Sequence, residues 1–483
     1  MEIFVPALNY STGTLLYDPI DEKSLAKKIE GLIPDRTDEL DSTSSTATAD
    51  LTFRAVMAPP SPNYNNPCVA GWTYLINKNH PNLSETQKAL EPLAKHRCMK
   101  GDPLFFDDKA NYDSSIAGWQ TWIEDNYSGI NSDLSLRKPP HYILIIGGPD
   151  QVPFGLQALL DIQASVGRID LGPEELDAYV QKIIRLEKAD KTNLNREAFF
   201  FATNHGGRDP TYFSYNYMVK PLIEKAQNMK FNAQSLLEKD ATKENFLKSL
   251  ANTRPALVYT ASHGVTDPNW NSEMQERMNG AIVDQSWVPN QPLGPNCLIT
   301  AEDIPYDKPF LEGSIFFQFA CFGYGTSADD EFTYWTNKLF PVSMQHEELK
   351  FQKDFIGALP KRLLAHPHGP IAFIGHLHLA CLQGFDNPDE RLIDERWSSR
   401  LEPFVYALDN LFQLIPSGEA MADMNRRFGS YSAELSKIFG RIKRRPLPEE
   451  DKNMALANAF IMRNDAQNYM LLGDPAARIL LDE

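Results

Sequence analysis

The chain has 483 residues, 42% hydrophobic and 11% aromatic, enough for two to three ordinary domains or one large α/β unit with an accessory half. Its formal charge of −17 argues against a nucleic-acid partner, because phosphate binding needs clustered Lys and Arg, and offers no attraction to an anionic membrane. No apolar run approaches the ~18 residues of a membrane span, and the opening "MEIFVPALNYSTG" lacks the basic-then-apolar order of a secretory signal.

Residues 36–50, "RTDELDSTSSTATAD", are rich in Ser and Thr and read as a mobile loop or linker. "ETQKALEPLAKH" then suggests a helix. "HYILIIGGPDQVPF" (141–154) reads as a buried strand stopped by Gly147, Gly148 and Pro149. "GPEELDAYVQKIIRLEKAD" follows as a helix, with Leu176, Tyr179, Val180, Ile183 and Ile184 on one face.

A second series starts near residue 197. Strands are expected at "EAFFFAT" (197–203), "ALVYTAS" (256–262), "SIFFQFA" (314–320) and "IAFIGH" (371–376). Between them, "YMVKPLIEKAQNM", "TKENFLKSLAN", "DDEFTYWTNKLF" and "FIGALPKRLLAH" read as helices. Residues 403–463 are mostly helical, and "NYMLLGDPAARIL" closes the chain with a last strand and turn. Strands that alternate with helices and are almost continuously apolar imply a mainly parallel α/β sheet covered on both faces. The expected division is an N-terminal α/β subdomain over 1–190 and a second subdomain over 191–483 with a helical C-terminal part.

The five cysteines (68, 98, 297, 321 and 381) are dispersed, odd in number and free of any Cys-x-x-Cys pair. A reducing cytoplasm is the expected compartment, where a cysteine matters for chemistry rather than cross-linking. Cys321 stands out. It ends a buried strand and is followed by Gly323 and Gly325, at the kind of strand end where open α/β sheets collect ligands. The plain alternative is a packed core thiol. A nucleophilic cysteine needs a base, and His263 with Gly264 directly follows strand 256–262. Carboxyl ends of parallel strands share one edge, which can unite residues 58 apart in sequence. Gly264 leaves its backbone N–H accessible to hold an oxyanion. His205, in "FATNHGGRD", also follows a strand and is the rival base. His366, His368, His376 and His378 have no carboxylate or cysteine at a zinc-binding spacing, so structural roles, no metal and no cofactor are expected.

The pair "ASHG" and "QFACFGYGT", with histidine first and cysteine later, resembles the His-Gly and Ala-Cys motifs of caspase-like (clan CD) cysteine peptidases. "YILIIGGPDQVPFGLQALLDIQASVGRI", "GPIAFIGH" and "NYMLLGDPAARI" resemble gingipain-like and CHAT-like bacterial proteins in particular. The resemblance spans about 80–483 and departs from the caspase "QAC-x-G" pattern at Phe319. It implies a caspase-like mainly parallel sheet with a gingipain-type N-terminal subdomain. It also implies a thiol endopeptidase in which His263 moves protons, Cys321 attacks the scissile carbonyl, and the Gly264 and Cys321 N–H groups bind the oxyanion. By the same resemblance the enzyme cleaves proteins after Arg or Lys through an acidic pocket. Asp161, in "LLDIQASVGR", is the first candidate acid and Asp329 and Asp330 are alternatives. A role in a bacterial defence or signalling cascade, with an activating protease or sensor protein as partner, is implied too. The alternatives are a catalytically inactive caspase-like scaffold that binds partner proteins, and a nucleotide-binding protein using "IIGGPD" and "LLGDPA". The latter lacks both phosphate-loop spacings. Exposed basic stretches, "GRIKRRPLPEED" and "EELKFQKDF" with Lys350 and Lys353, are candidate self-processing sites.

Overall fold

The computed structural model describes residues 2–3, 6–16, 19–30, 63–107, 116–127, 139–189, 194–328, 351, 353–387, 398–444 and 448–481. The linker expected at 36–50 and the helix expected at 329–340 lie outside these residues.

The strands used below are β1 (Ala7–Asn9), β2 (Trp72–Asn77), β3 (Leu104–Phe106), β4 (Tyr142–Ile146), β5 (Ser165–Ile169) and β6 (Asn195–Ala202). They continue with β7 (Asn232–Leu237), β8 (Pro255–Ala261), β9 (Gly264–Thr266), β10 (Ile315–Phe319), β11 (Ala372–His376) and β12 (Tyr469–Gly473). Ten of them form one sheet in the order β3-β2-β4-β5-β12-β11-β10-β8-β6-β7. Neighbours among β3, β2, β4 and β5 pair in parallel, as do neighbours among β11, β10, β8, β6 and β7. β12 runs antiparallel to β11 and meets β5 through one bridge, Leu472 opposite Arg168. The expected α/β class and mainly parallel sheet are what the chain forms. The residues explain it: every position of β8 ("PALVYTA") and β10 ("IFFQF") is buried, as in strands covered on both faces.

Helices cover the sheet. Those needed here are α1 (Leu83–His96), α2 (Phe154–Leu160), α3 (Pro173–Lys188), α4 (Pro210–Ser214), α5 (Lys243–Asn252), α6 (Ala358–Ala365), α7 (Glu402–Phe412), α8 (Ala422–Arg444) and α9 (Glu449–Gln467). α3 starts at Pro173 with Glu174 and Glu175 in its first turn, which suits the positive end of a helix. Two helical expectations are adjusted. "FIGALPKRLLAH" is helical only from Ala358, because Phe355–Ile356 pair with Gly325–Thr326. "YMVKPLIEKAQNM" enters its α-helix through a π-helical turn, Tyr215–Val219.

Both halves of the sheet share one orientation. β12 ends at the amino-terminal edge of β11, and the next residue, Asp474, accepts a 2.9 Å hydrogen bond from Trp72, the first residue of β2. Amino ends therefore lie along one edge and carboxyl ends along the other. A large core surrounds the sheet, and a smaller one gathers Leu8, Val265, Val283, Trp287 and Leu298 beside the carboxyl edge of β8.

One cysteine expectation is corrected. Cys68 and Cys98 form a disulfide, whereas Cys297, Cys321 and Cys381 do not cross-link. Disulfides persist in oxidising compartments, so cysteine usage no longer supports a reducing one. Among the described residues no helix is long and apolar enough to cross a membrane.

Candidate active site

Register brings the two expected catalytic residues together. β8 and β10 pair in parallel with Ala261 opposite Phe319, and the Ser262 N–H extends the ladder by donating to the Phe319 carbonyl at 3.2 Å. His263 lies two residues past Ala261 and Cys321 two past Phe319, so both leave the carboxyl edge at the same level. Gly264 is required at this crossing. A Cβ there would lie 1.9 Å from the Cys321 carbonyl oxygen and 2.7 Å from the Cys321 Cβ.

The histidine is held from the neighbouring strand. β6 pairs with β8 on the side away from β10, and the loop after it carries His205 and Asp209. Asp209 caps α4 by accepting the Thr211 N–H at 2.8 Å, and the same carboxylate lies 2.9 and 3.0 Å from His263 Nε2. Burial alone pushes the Asp209 carboxyl up. The facing His263 imidazole and the Thr211 donors outweigh burial and hold the group well below the ordinary carboxylate range. His263 Nδ1 lies 3.2 Å from the Pro6 carbonyl oxygen.

His205 reaches the same site. Its ring stacks on His263 with centroids 5.8 Å apart, and the Trp287 indole meets both rings edge-on, at 4.8 and 5.5 Å. Burial, then the adjacent His263, push His205 down to about 4 against the pull of Asp209. The carboxylate is hydrogen-bonded to His263, not His205.

Cys321 and His263 have no solvent exposure. The Cys321 thiol accepts the Ala380 N–H at 3.3 Å and faces the Ala380 carbonyl at 3.7 Å. His263 bonds to Pro6 and Asp209. Phe322 and His378 both adopt left-handed backbone angles, φ 62° and 72°, and are joined by a 2.5 Å bond from Phe322 N–H to the His378 carbonyl. Non-glycine residues in that region cost about 1–3 kcal/mol each and gather at active sites. The Gly264 N–H, the expected oxyanion donor, is given to the Pro6 carbonyl at 3.2 Å.

Asp161 is not in this constellation, which corrects its expected pocket role. α2 carries the chain back to the amino-terminal edge, where buried Asp161 accepts the Val166 N–H at the start of β5. Burial raises its carboxyl well above the usual range, against the hydrogen bonds from Val166 and Asn425. Asp329 and Asp330 lie outside the described residues. The other histidines have local partners: His366 the Lys308 carbonyl, His368 Glu312, His376 Asp465 and His378 the Ser327 carbonyl. Among the described residues no three His, Cys, Asp or Glu side chains are grouped to hold a metal. Arg441 and Arg444 lie within helical α8, Arg445 and Lys350 lie outside the described residues, and Lys353 pairs with Glu276.

Sequence reasoning missed Asp209, Trp287 and Pro6. Asp209 carried a signal, since Asp before Pro starts a helix, but a helix cap gives no hint of a second role.

A thiol, an imidazole and a carboxylate thus come from adjacent strand ends, and these are the groups that acyl transfer of the cysteine–histidine kind requires. No protein-family model matches the sequence, and no curated protein matches it. Among solved structures, it is similar to the Arg-specific cysteine proteinase gingipain R, at 10% identity and a TM-score of 0.43, over 87% of this chain and 80% of that one. A structure described as a protease is 13% identical with a TM-score of 0.46, covering 84% and 78%. The Saccharomyces cerevisiae separase–securin complex is 10% identical with a TM-score of 0.33, covering 75% of this chain and 17% of that one.

Proposed function

We propose that the protein is a cysteine endopeptidase acting on protein substrates. The observation that carries this reading is the level placement of His263-Gly264 against Cys321, with Asp209 on His263 Nε2. Cys321 gives its proton to His263, the resulting thiolate attacks the scissile carbonyl carbon, and the oxygen gains negative charge against the Gly264 N–H. The tetrahedral intermediate collapses as His263 gives a proton to the leaving amine, which breaks the C–N bond and leaves a thioester. Water then attacks the thioester, His263 takes its proton, and the thiol is released with the new carboxylate. Asp209 orients the imidazole and stabilises its cationic form. Trp287 fixes the ring plane.

Cleavage after Arg or Lys belongs to this proposal, with Asp329 and Asp330, the alternatives named from the sequence, as the candidate acids. The division into subdomains near residue 190 belongs to it as well. So does control by a second protease or a sensor protein, supported by the lack of exposure at both reacting side chains. The same burial favours a second reading, an inactive scaffold that binds partners.

Hydrolysis of an unbiased peptide library separates the two readings. The wild type should cut after basic residues, and Cys321→Ala and His263→Ala should each fall to background, because nucleophile and base act as a unit. Hydrolysis that survives Cys321→Ala, or a loss seen with His205→Ala but not His263→Ala, overturns the assignment.

A further inference from the structure

Pro6 reaches the site across 257 residues of sequence. With Nε2 committed to Asp209, His263 has one ring nitrogen left, Nδ1, and it meets the Pro6 carbonyl oxygen at 3.2 Å. The Gly264 N–H meets the same oxygen at 3.2 Å. One main-chain carbonyl thus satisfies both groups that a scissile carbonyl would need. Proline suits the position, since it offers a carbonyl and no N–H.

The contact is held by structure on its C-terminal side. β1 pairs in parallel with β9, placing Ala7 opposite Gly264, Leu8 opposite Val265 and Asn9 opposite Thr266. Leu8 is buried in the smaller core with Val265, Val283 and Trp287. The Ser11 N–H donates to Asp267 at 3.0 Å, and Gly13 packs on the Gln291 backbone. A carbonyl anchored one residue before such a strand competes as an intramolecular ligand, with an effective concentration in the millimolar range or above.

We propose that Pro6 is a built-in plug of the active site. Its carbonyl occupies the oxyanion position, and substrate gains access only when the Gly264 N–H to Pro6 bond, the first rung of the β1–β9 pair, opens. The proposal rests on the peptidase reading of His263, Gly264 and Cys321. It makes the described conformation a resting state, in which the thiol accepts the Ala380 N–H.

The test uses a chain beginning at Ala7, released from a removable fusion so that no residue replaces Pro6. N-ethylmaleimide labelling of Cys321, followed by mass spectrometry, should be at least about tenfold faster than in the full chain, and peptide hydrolysis should rise in parallel. Equal labelling in the two proteins overturns the plug. Faster labelling with no peptide cleaved leaves Pro6 as a cover over Cys321, but removes the peptidase reading and with it the plug against substrate. Equal hydrolysis by both chains removes the plug and leaves the peptidase reading standing. If the shortened chain does not fold, hydrogen exchange on the full chain decides. Alkylation of Cys321 should speed exchange of the Gly264 amide, and unchanged protection there overturns the proposal.

Discussion

A methyl group at position 264 would sit 1.9 Å from the Cys321 carbonyl oxygen, so packing alone requires the glycine after the histidine. Asp209 shows the same economy: one carboxylate caps α4 and holds His263. Charged hydrogen bonds are worth about 1.5–3 kcal/mol, so Asp209→Asn should lower kcat/KM about tenfold to a hundredfold. An unchanged kcat/KM would show that Asp209 serves only as a cap. Stability carries a matching sign. The folded carboxyl ionises below its unfolded range, so it stabilises the protein above about pH 4 and that contribution is lost as pH falls further. Acid melts of Asp209→Asn should therefore be flatter below pH 4 than those of the wild type.

Among the elements, the long buried strands were legible and the short ones were not. β8 and β10 announce themselves through unbroken apolar runs, and parallel pairing then implies that His263 and Cys321 share an edge. β1 and β9 have three residues each, too few for any period to emerge, so the arrival of Pro6 at the site could not be read. Asp161 was misplaced for a related reason. The segment resembled a pocket motif, but the direction in which α2 returns the chain decides which edge it reaches. α3 hides another such fact on its buried face. Beside the expected Leu176, Tyr179, Val180 and Ile183 lies Lys182, whose Nζ donates to the Leu364, His366 and Pro370 carbonyls at 2.8–2.9 Å. A lysine among apolar residues reads as an interruption until those three acceptors are seen. Lys182→Met should destabilise the fold by about 3 kcal/mol or more, since buried acceptors left unpaired cost about 1–3 kcal/mol each. A denaturant midpoint within error of the wild type would mean that water replaces the ammonium at little cost.

In the whole molecule, the two edges of the sheet have different work. The carboxyl edge carries His205, His263 and Cys321. The amino-terminal edge is stapled by a buried network: Arg97 donates to Asp474 at 2.8 Å and to Glu187 at 2.6 Å, while Trp72 donates to Asp474. The Cys68–Cys98 disulfide belongs to this second edge, because Cys68 precedes β2 and Cys98 follows Arg97 at the end of α1. It closes a loop with a sequence separation of 30, for which chain entropy gives about 3–4 kcal/mol of stabilisation. Replacing both residues, Cys68→Ser with Cys98→Ser, should lower the unfolding free energy by about that amount. The labelling rate of Cys321 should stay unchanged, since nothing at the carboxyl edge loses a contact. Reductant should shift the denaturation midpoint of the wild type by the same amount and leave the double variant unaffected. A double variant as stable as the wild type would show that the bond adds nothing to the fold. A changed Cys321 labelling rate would show that the two edges are coupled through the sheet.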